Sequence, residues 1–201
     1  MVRAILDGRK TQTRRVLATY QDAVKFCPEW DVNGKQIFIV LGEKDHTGMN
    51  PVITAIPCPF GQQGDRIWVR ETFRVHSRAT DVATLVYRAS VRNSWTEQTH
   101  RVPVAVCNKP ATPEKWTPSI HMPRWASRIT LEITDVRVER LNSISDSDAS
   151  KEGCCIADME SGDCLSDVFT RLWTSIYGDD SWQANPWVWV IEFKRVEGGA
   201  A

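Results

Sequence analysis

At 201 residues the chain is long enough for one well-buried domain and hardly long enough for two. Lysine plus arginine and aspartate plus glutamate each total 25, so the net charge is zero and any nucleic-acid site must be local rather than a property of the whole field. Six cysteines without metal-ligand spacing, four dispersed histidines and no apolar run long enough for a signal peptide or membrane span predict a reduced, cytoplasmic protein with no metal, no cofactor and no membrane partner.

Val2, Ile5 and Leu6 recur at helical spacing, and Gly8 sits where a helix ends, because glycine takes the left-handed cap conformation without steric cost. Four cations (Arg9, Lys10, Arg14 and Arg15) and two hydroxyls (Thr11 and Thr13) then follow within seven residues. Such a cluster attracts phosphate. The helix dipole alone also favours cations at that end, and most basic runs are solvated surface.

Residues 16–63, with Pro28, Pro51, Pro57 and Pro59, read as an irregular insertion. Inside it an Asn33–Gly34 turn between strand-like flanks predicts a small hairpin at about 30–41, exposed beside the main fold. Gly64 to Phe73 alternates as a strand and places Glu71 on a largely apolar face, where a carboxylate must meet a cation or line a pocket. Residues 83–89 read as another strand, and 90–117, polar and interrupted by Pro103, Pro110 and Pro113, as a second loop-rich insertion.

Arg124, Trp125 and Arg128 come just before a long alternating strand at about 128–141, whose inward set (Ile129, Leu131, Ile133, Val136, Val138) changes phase near Thr134 and Asp135. Nine tryptophans are many for this length; those in polar segments, Trp95, Trp116, Trp125 and Trp182, either stack on a planar ligand or pack under loops. Residues 143–153 form a short helix capped by Ser145 or Asp146, and Glu152 falls in its last turn, where a carboxylate opposes the helix dipole. Residues 163–177 make an amphipathic helix, residues 185–197 an apolar closing strand, and 198–201 a flexible tail. The order lacks regular strand–helix alternation. It predicts an α+β fold in which a small β-barrel carries helices at its openings, as one domain over 1–197 with insertions at 16–63 and 90–117.

Three segments carry a family resemblance: GRKTQTRR at the helix exit is similar to the G-x-K-T-x-T-x-R signature of the ASCH domain, GDRIWV to its G-D-x-h-x-V strand, and WVWVIEFKRV to its closing strand. The ASCH domain is a branch of the PUA-like β-barrel superfamily associated with RNA, and the segment IHMPRWASRI also resembles ASCH proteins of phages and prophages. The family usually opens with a strand before its first helix, whereas this sequence starts at the helix, so a barrel strand is expected to be missing or to lie upstream.

One branch of the family removes the acetyl group from N4-acetylcytidine with a lysine and a threonine of K-T-x-T and a glutamate of A-x-x-E. The resemblance implies these roles for Lys10, Thr13 and Glu152, the last following Ala149. Thr13 would be the nucleophile, Lys10 its base and Glu152 the acid/base that orients Lys10. Arg9, Thr11, Arg14, Arg15, Glu71, Arg124, Trp125 and Arg128 are the expected substrate- or nucleic-acid-binding residues. Two other readings stay open at this point. One is a non-catalytic RNA-binding module in which Arg9, Arg14, Arg15, Arg124 and Arg128 hold phosphates and Trp125 stacks on a base; the other is an RNA nuclease using the same cluster. The expected partner is a nucleoside or RNA, and the sequence leaves catalysis and oligomeric state undecided.

Overall fold

The structure, a computed structural model, describes residues 1–196 and is mixed α+β, mostly sheet with few helices. The tail expected at 198–201 lies outside the described residues. In chain order the elements begin with helix α1 (Val2–Leu6) and strands β1 (Gln12–Val16), β2 (Lys25–Trp30), β3 (Gln36–Leu41), β4 (Val52–Pro57) and β5 (Arg66–Trp68). Strands β6 (Phe73–Arg78) and β7 (Val82–Tyr87), helix α2 (Trp95–Gln98) and strands β8 (Thr99–Pro103) and β9 (Thr130–Arg140) follow. Helices α3 (Asp146–Lys151), α4 (Leu165–Tyr177) and α5 (Asp179–Gln183) precede the closing strand β10 (Trp187–Val196). Among the described residues no helix is long and apolar enough to cross a membrane.

The described chain divides into two units, each assembled from separated segments: unit 1 holds Met1–Asp7, Arg66–Leu131 and 195–196, and unit 2 holds Gly8–Asp65 and Glu132–Lys194.

In unit 1, β6, β7 and β8 form an antiparallel sheet whose register shifts between Val75 and Ser77. Period-two alternation sends Phe73, Val75, Ala83, Leu85 and Tyr87 into one core with Met122 and Ala126. The Tyr87 hydroxyl donates to the Ala126 carbonyl at 2.7 Å, so the one polar atom of the ring is satisfied. The strand expected over 64–73 is broken: β5 ends at Trp68, and the next strand starts at Phe73 after the Glu71 amide donates to Met122 Sδ at 3.1 Å. The expected loop at 90–117 supplies α2, with Ser94 and Glu97 forming a capping box, and the sheet's third strand β8.

In unit 2, β1, β10 and β9 are neighbours in that order, and β2, β3 and β4 form a second antiparallel sheet. The hairpin turns at Gly34 (φ 74°) as its Asn-Gly pair predicts and its tip is exposed, but it is not alone and one of its faces is buried. β4 adds a third strand to it, and Phe38 and Val40 are buried. Phe38 meets Trp189 edge-on at 5.1 Å, and Phe26 meets Trp187 at 5.0 Å. The physical reason is the one-sided pattern of Phe26, Phe38 and Val40, which cannot be left in water without losing about 1.5–3 kcal/mol per side chain.

The long strand, short helix, amphipathic helix and closing strand expected from the sequence are β9, α3, α4 and β10. Along β9, Leu131 and Ile133 are buried, Asp135 is exposed and Val136 is buried, which is the phase change expected near Asp135. Val168, Phe169 and Trp173 of α4 pack with Leu141, Ala149, Val188 and Val190 into a second core. The β1–β10 register sets Gln12 opposite Glu192 and Arg14 opposite Val190; Thr13 and Arg15 lie opposite Ile191 and Trp189 on the other face of the sheet.

Candidate functional site

Unit 2 gathers the first cluster. α1 ends at Asp7 and Gly8 turns the chain with φ 72°, which sends Lys10 inward ahead of β1. Lys10 is buried at 4% exposure, and its ammonium donates to Glu152 Oε2 at 2.6 Å and to the Glu152 carbonyl at 2.8 Å. Glu152, the C-cap of α3, is itself buried; its other oxygen accepts from Arg14 Nη1 at 3.3 Å. The two cations that it receives account for a carboxylate at an unfavourable helix end.

Arg14 also reaches Glu139 at 3.3 Å and Asp148 at 3.5 Å. Arg137 extends the network to Glu139, Asp148 and Glu192 at 2.6, 3.0 and 2.7 Å and donates to Gln12 Oε1 at 3.2 Å. Lys151 adds a contact to Glu192 at 3.0 Å. Four cations, Lys10, Arg14, Arg137 and Lys151, are met by five carboxylates, Asp135, Glu139, Asp148, Glu152 and Glu192.

This balance shows in the titrations. Burial raises the Asp148 carboxyl, but the Ser145 hydroxyl and the charges of Arg14, Arg137 and Lys151 outweigh it and hold it below the usual range. Glu192 is likewise held low, burial being outweighed by Lys151 and Arg137. The Cys154 thiol is pushed up to about 11 by burial and by the Glu152 charge, partly offset by Lys10.

A cleft of ≈ 470 Å³ in the same unit is lined by Arg9, Ser150, Cys154, Cys155, Ile156 and Leu165; neither Lys10 nor Glu152 is part of its lining. Its volume suits one heterocyclic base. Arg9 is exposed there, with Nη1 donating to the Gly153 carbonyl at 3.4 Å. Thr11 acts through its backbone: its amide donates to the Lys151 carbonyl at 2.8 Å and its carbonyl accepts from Phe193 at 2.8 Å, fastening the entry of β1 to α3 and β10.

Thr13 is half-buried on the face of β1 opposite Gln12 and Arg14, and among the described residues its hydroxyl bonds neither Lys10 nor Glu152. Arg15 is exposed on that same opposite face. The structure therefore joins Lys10, Arg14 and Glu152 directly and sets Thr13 on the other side of the strand.

No family model, curated protein or solved structure matches the chain.

The remaining expected residues lie in unit 1. Glu71, 2% exposed, receives a two-pronged contact from Arg128, Nε to Oε1 at 2.9 Å and Nη2 to Oε2 at 3.1 Å. Arg128 also donates to Ser90 Oγ at 2.7 Å and to the Glu97 carbonyl at 3.0 Å, and lies 4.0 Å from the Tyr87 ring. Every nitrogen of Arg128 is engaged, and Glu71 meets the cation that its burial calls for. Trp125 is half-buried, edge-on to Phe73 at 6.3 Å, with a buried indole N–H that has no partner among the described residues. Arg124 is exposed and sits 5.9 Å from the Trp68 ring.

Sequence reasoning passed over Gln12, Arg137, Glu139, Asp148 and Glu192. A signal was present: Asp135, Arg137 and Glu139 alternate at period two along β9, and Glu192 interrupts the apolar run of β10. Gln12 is fully buried, and its Nε2, like Arg14 Nε on the same strand face, has no hydrogen-bond partner among the described residues. These are two donors on the side of β1 that carries the network.

Proposed function

We propose that the chain is an ASCH-type protein with a PUA-like barrel that takes a nucleobase or nucleoside and hydrolyses an amide on it, N4-acylated cytidine being the substrate class. The observation that carries this reading is the buried Lys10–Glu152 pair at 2.6 Å, formed by the two residues that the K-T-x-T and A-x-x-E resemblance implies. A proton-transfer couple shielded from water is what general acid/base chemistry on an amide needs.

Charge balance selects the ligand. Because carboxylates already neutralise Lys10 and Arg14, this site favours an uncharged base over a phosphate backbone, and the free N–H groups of Gln12 and Arg14 suit carbonyl or ring-nitrogen acceptors. The six free thiols accord with action in the reducing cytoplasm.

In the reaction the Thr13 hydroxyl oxygen bonds the acyl carbon as its proton passes to the Lys10–Glu152 couple. The C–N4 bond then breaks, the couple returns the proton to N4, and cytidine leaves. Water hydrolyses the Thr13 ester, releasing the carboxylic acid and restoring the hydroxyl. Thr13 must reach the couple from the other side of β1, so its variant is the informative one.

The experiment is incubation of the protein with N4-acetylcytidine, with cytidine followed by chromatography. Release is expected, and it should vanish in Lys10→Ala and Glu152→Gln. A Thr13→Ala protein that still turns over would move the nucleophile to a water activated by the Lys10–Glu152 couple; absence of release from the unaltered protein would overturn the reading.

A further inference from the structure

Helix α4 carries its apolar stripe beyond the core that it covers. Leu165, Phe169, Leu172 and Ile176 fall at i, i+4, i+7 and i+11, one side of the helix. Phe169 is buried there with Val168 and Trp173, but Leu172 and Ile176 on the same side are 41% and 55% exposed. Tyr177, 46% exposed, adjoins them; its ring lies 4.5 Å from that of Trp173, whose Nε1 donates to Ser181 Oγ of α5 at 3.0 Å. The end of α4 is therefore an apolar patch backed by packed rings. One exposed leucine needs no explanation, whereas adjoining large apolar side chains on the core side of a helix mark an interaction site.

The surroundings of the patch are acidic. Residues 156–183 hold six Asp and Glu against one cation, Arg171. That cation is already engaged: Nη1 meets Asp163 at 2.6 Å and Nη2 donates to the Asp158 carbonyl at 2.9 Å, which holds the 158–163 segment along the helix. Glu160 lies on that segment, and Asp179 and Asp180 follow Tyr177 at the start of α5. All three are exposed, and among the described residues none of them is in an ion pair.

We propose that the end of α4 and the start of α5 form a docking surface for a basic amphipathic helix of another protein. The apolar side of that helix covers Leu172, Ile176 and Tyr177, and its lysines or arginines face Glu160, Asp179 and Asp180. Charge complementarity chooses this occupant. An anionic bilayer is repelled by the same carboxylates. A second copy of the chain brought in by two-fold symmetry sets one acidic rim against the other. The surface lies apart from the Lys10–Glu152 pair in sequence and chemistry, so this proposal and the amide hydrolysis can each fail alone.

The test is fluorescence anisotropy of a labelled peptide of about 18 residues, five helical turns, with leucines at i, i+3, i+4 and i+7 and lysines elsewhere, titrated with the full chain. A companion peptide keeps the leucines and replaces every lysine by glutamate; a second keeps the composition and scrambles the order. The lysine peptide should bind, the glutamate peptide should not, and the scrambled one should bind more weakly because it presents no apolar side. Leu172→Gln/Ile176→Gln, which alters two exposed side chains, should weaken binding of the lysine peptide by about tenfold, the effect of removing anchoring contacts. Asp179→Asn/Asp180→Asn should weaken it at low salt and make it less sensitive to added salt. Failure of the lysine peptide to bind, equal binding of the glutamate or scrambled peptide, or unchanged affinity in the Leu172/Ile176 variant would overturn the proposal. So would concentration-dependent self-association in sedimentation, or capture by phosphatidylserine vesicles, if that variant abolishes it.

Discussion

Glu152→Gln isolates the charge at the centre of the unit 2 network while keeping the side chain's size. In the unaltered protein Glu152 meets Lys10 at 2.6 Å and Arg14 at 3.3 Å, with all three side chains buried. The amide leaves Arg14 with Glu139 and Asp148 at 3.3 and 3.5 Å, so its charge stays compensated. Lys10 keeps the carbonyl of residue 152 but loses the carboxylate that it meets at 2.6 Å. Breaking a buried pair by removing one partner costs about 3–5 kcal/mol, and the surviving carbonyl contact places this case near about 3 kcal/mol. For a chain of this size that corresponds to a fall in melting temperature of roughly 6–12 °C. Scanning calorimetry reads the shift directly. The double variant Lys10→Met/Glu152→Leu, which removes both charges and fills the space, should recover most of the loss, because the desolvation of the ions disappears with them. A Glu152→Gln protein melting within about 2 °C of the unaltered one would refute the reasoning, since that is below the effect of 1 kcal/mol. So would a double variant as unstable as the sum of its singles.

Acid should loosen unit 2 through the same network. Asp148 and Glu192 have folded-state values below their ordinary 3.8 and 4.5, so their stabilisation is complete above those values and is lost as pH falls through the lower folded ones. Melting temperature should therefore drop below about pH 4.5, and Asp148→Asn should flatten that acid limb; an unaltered limb would remove Asp148 from the account. Phe38→Ala should cost about 3–5 kcal/mol, the usual range for a buried phenylalanine, as measured by urea unfolding. A loss under 1 kcal/mol would mean that the β2–β3–β4 sheet contributes little to the core around Trp189.

What could be read in advance followed from one-dimensional patterns. The alternation of β9 and β10, the 3.6-residue period of α4 and the Ser145 cap of α3 are each encoded within a dozen neighbouring residues. β4 escaped because its sequence, VITAIP, lies among prolines and has only half-buried or exposed positions, so no strong apolar stripe marks it. The hairpin was recognised by its turn, yet its burial depends on Trp187 and Trp189, some 150 residues away. Lys10 and Glu152 were legible as candidates; beyond the period-two alternation of Asp135, Arg137 and Glu139, the surrounding network was not, because pairs such as Lys151–Glu192, 41 positions apart, and Arg14–Glu152, 138 apart, leave no local periodicity. Thr13 is grouped with Lys10 by the K-T-x-T resemblance, and strand geometry, which turns alternate residues to opposite faces, sets Thr13 away from Gln12 and Arg14.

The way the two units are threaded has a consequence for how the protein is made. Unit 1 needs the first seven residues and 195–196, while unit 2 needs everything up to Lys194. During synthesis neither can close when its first half leaves the ribosome. Both wait for β10, so nascent β1, which pairs with β10 in the finished sheet, lacks that partner until β10 has been made.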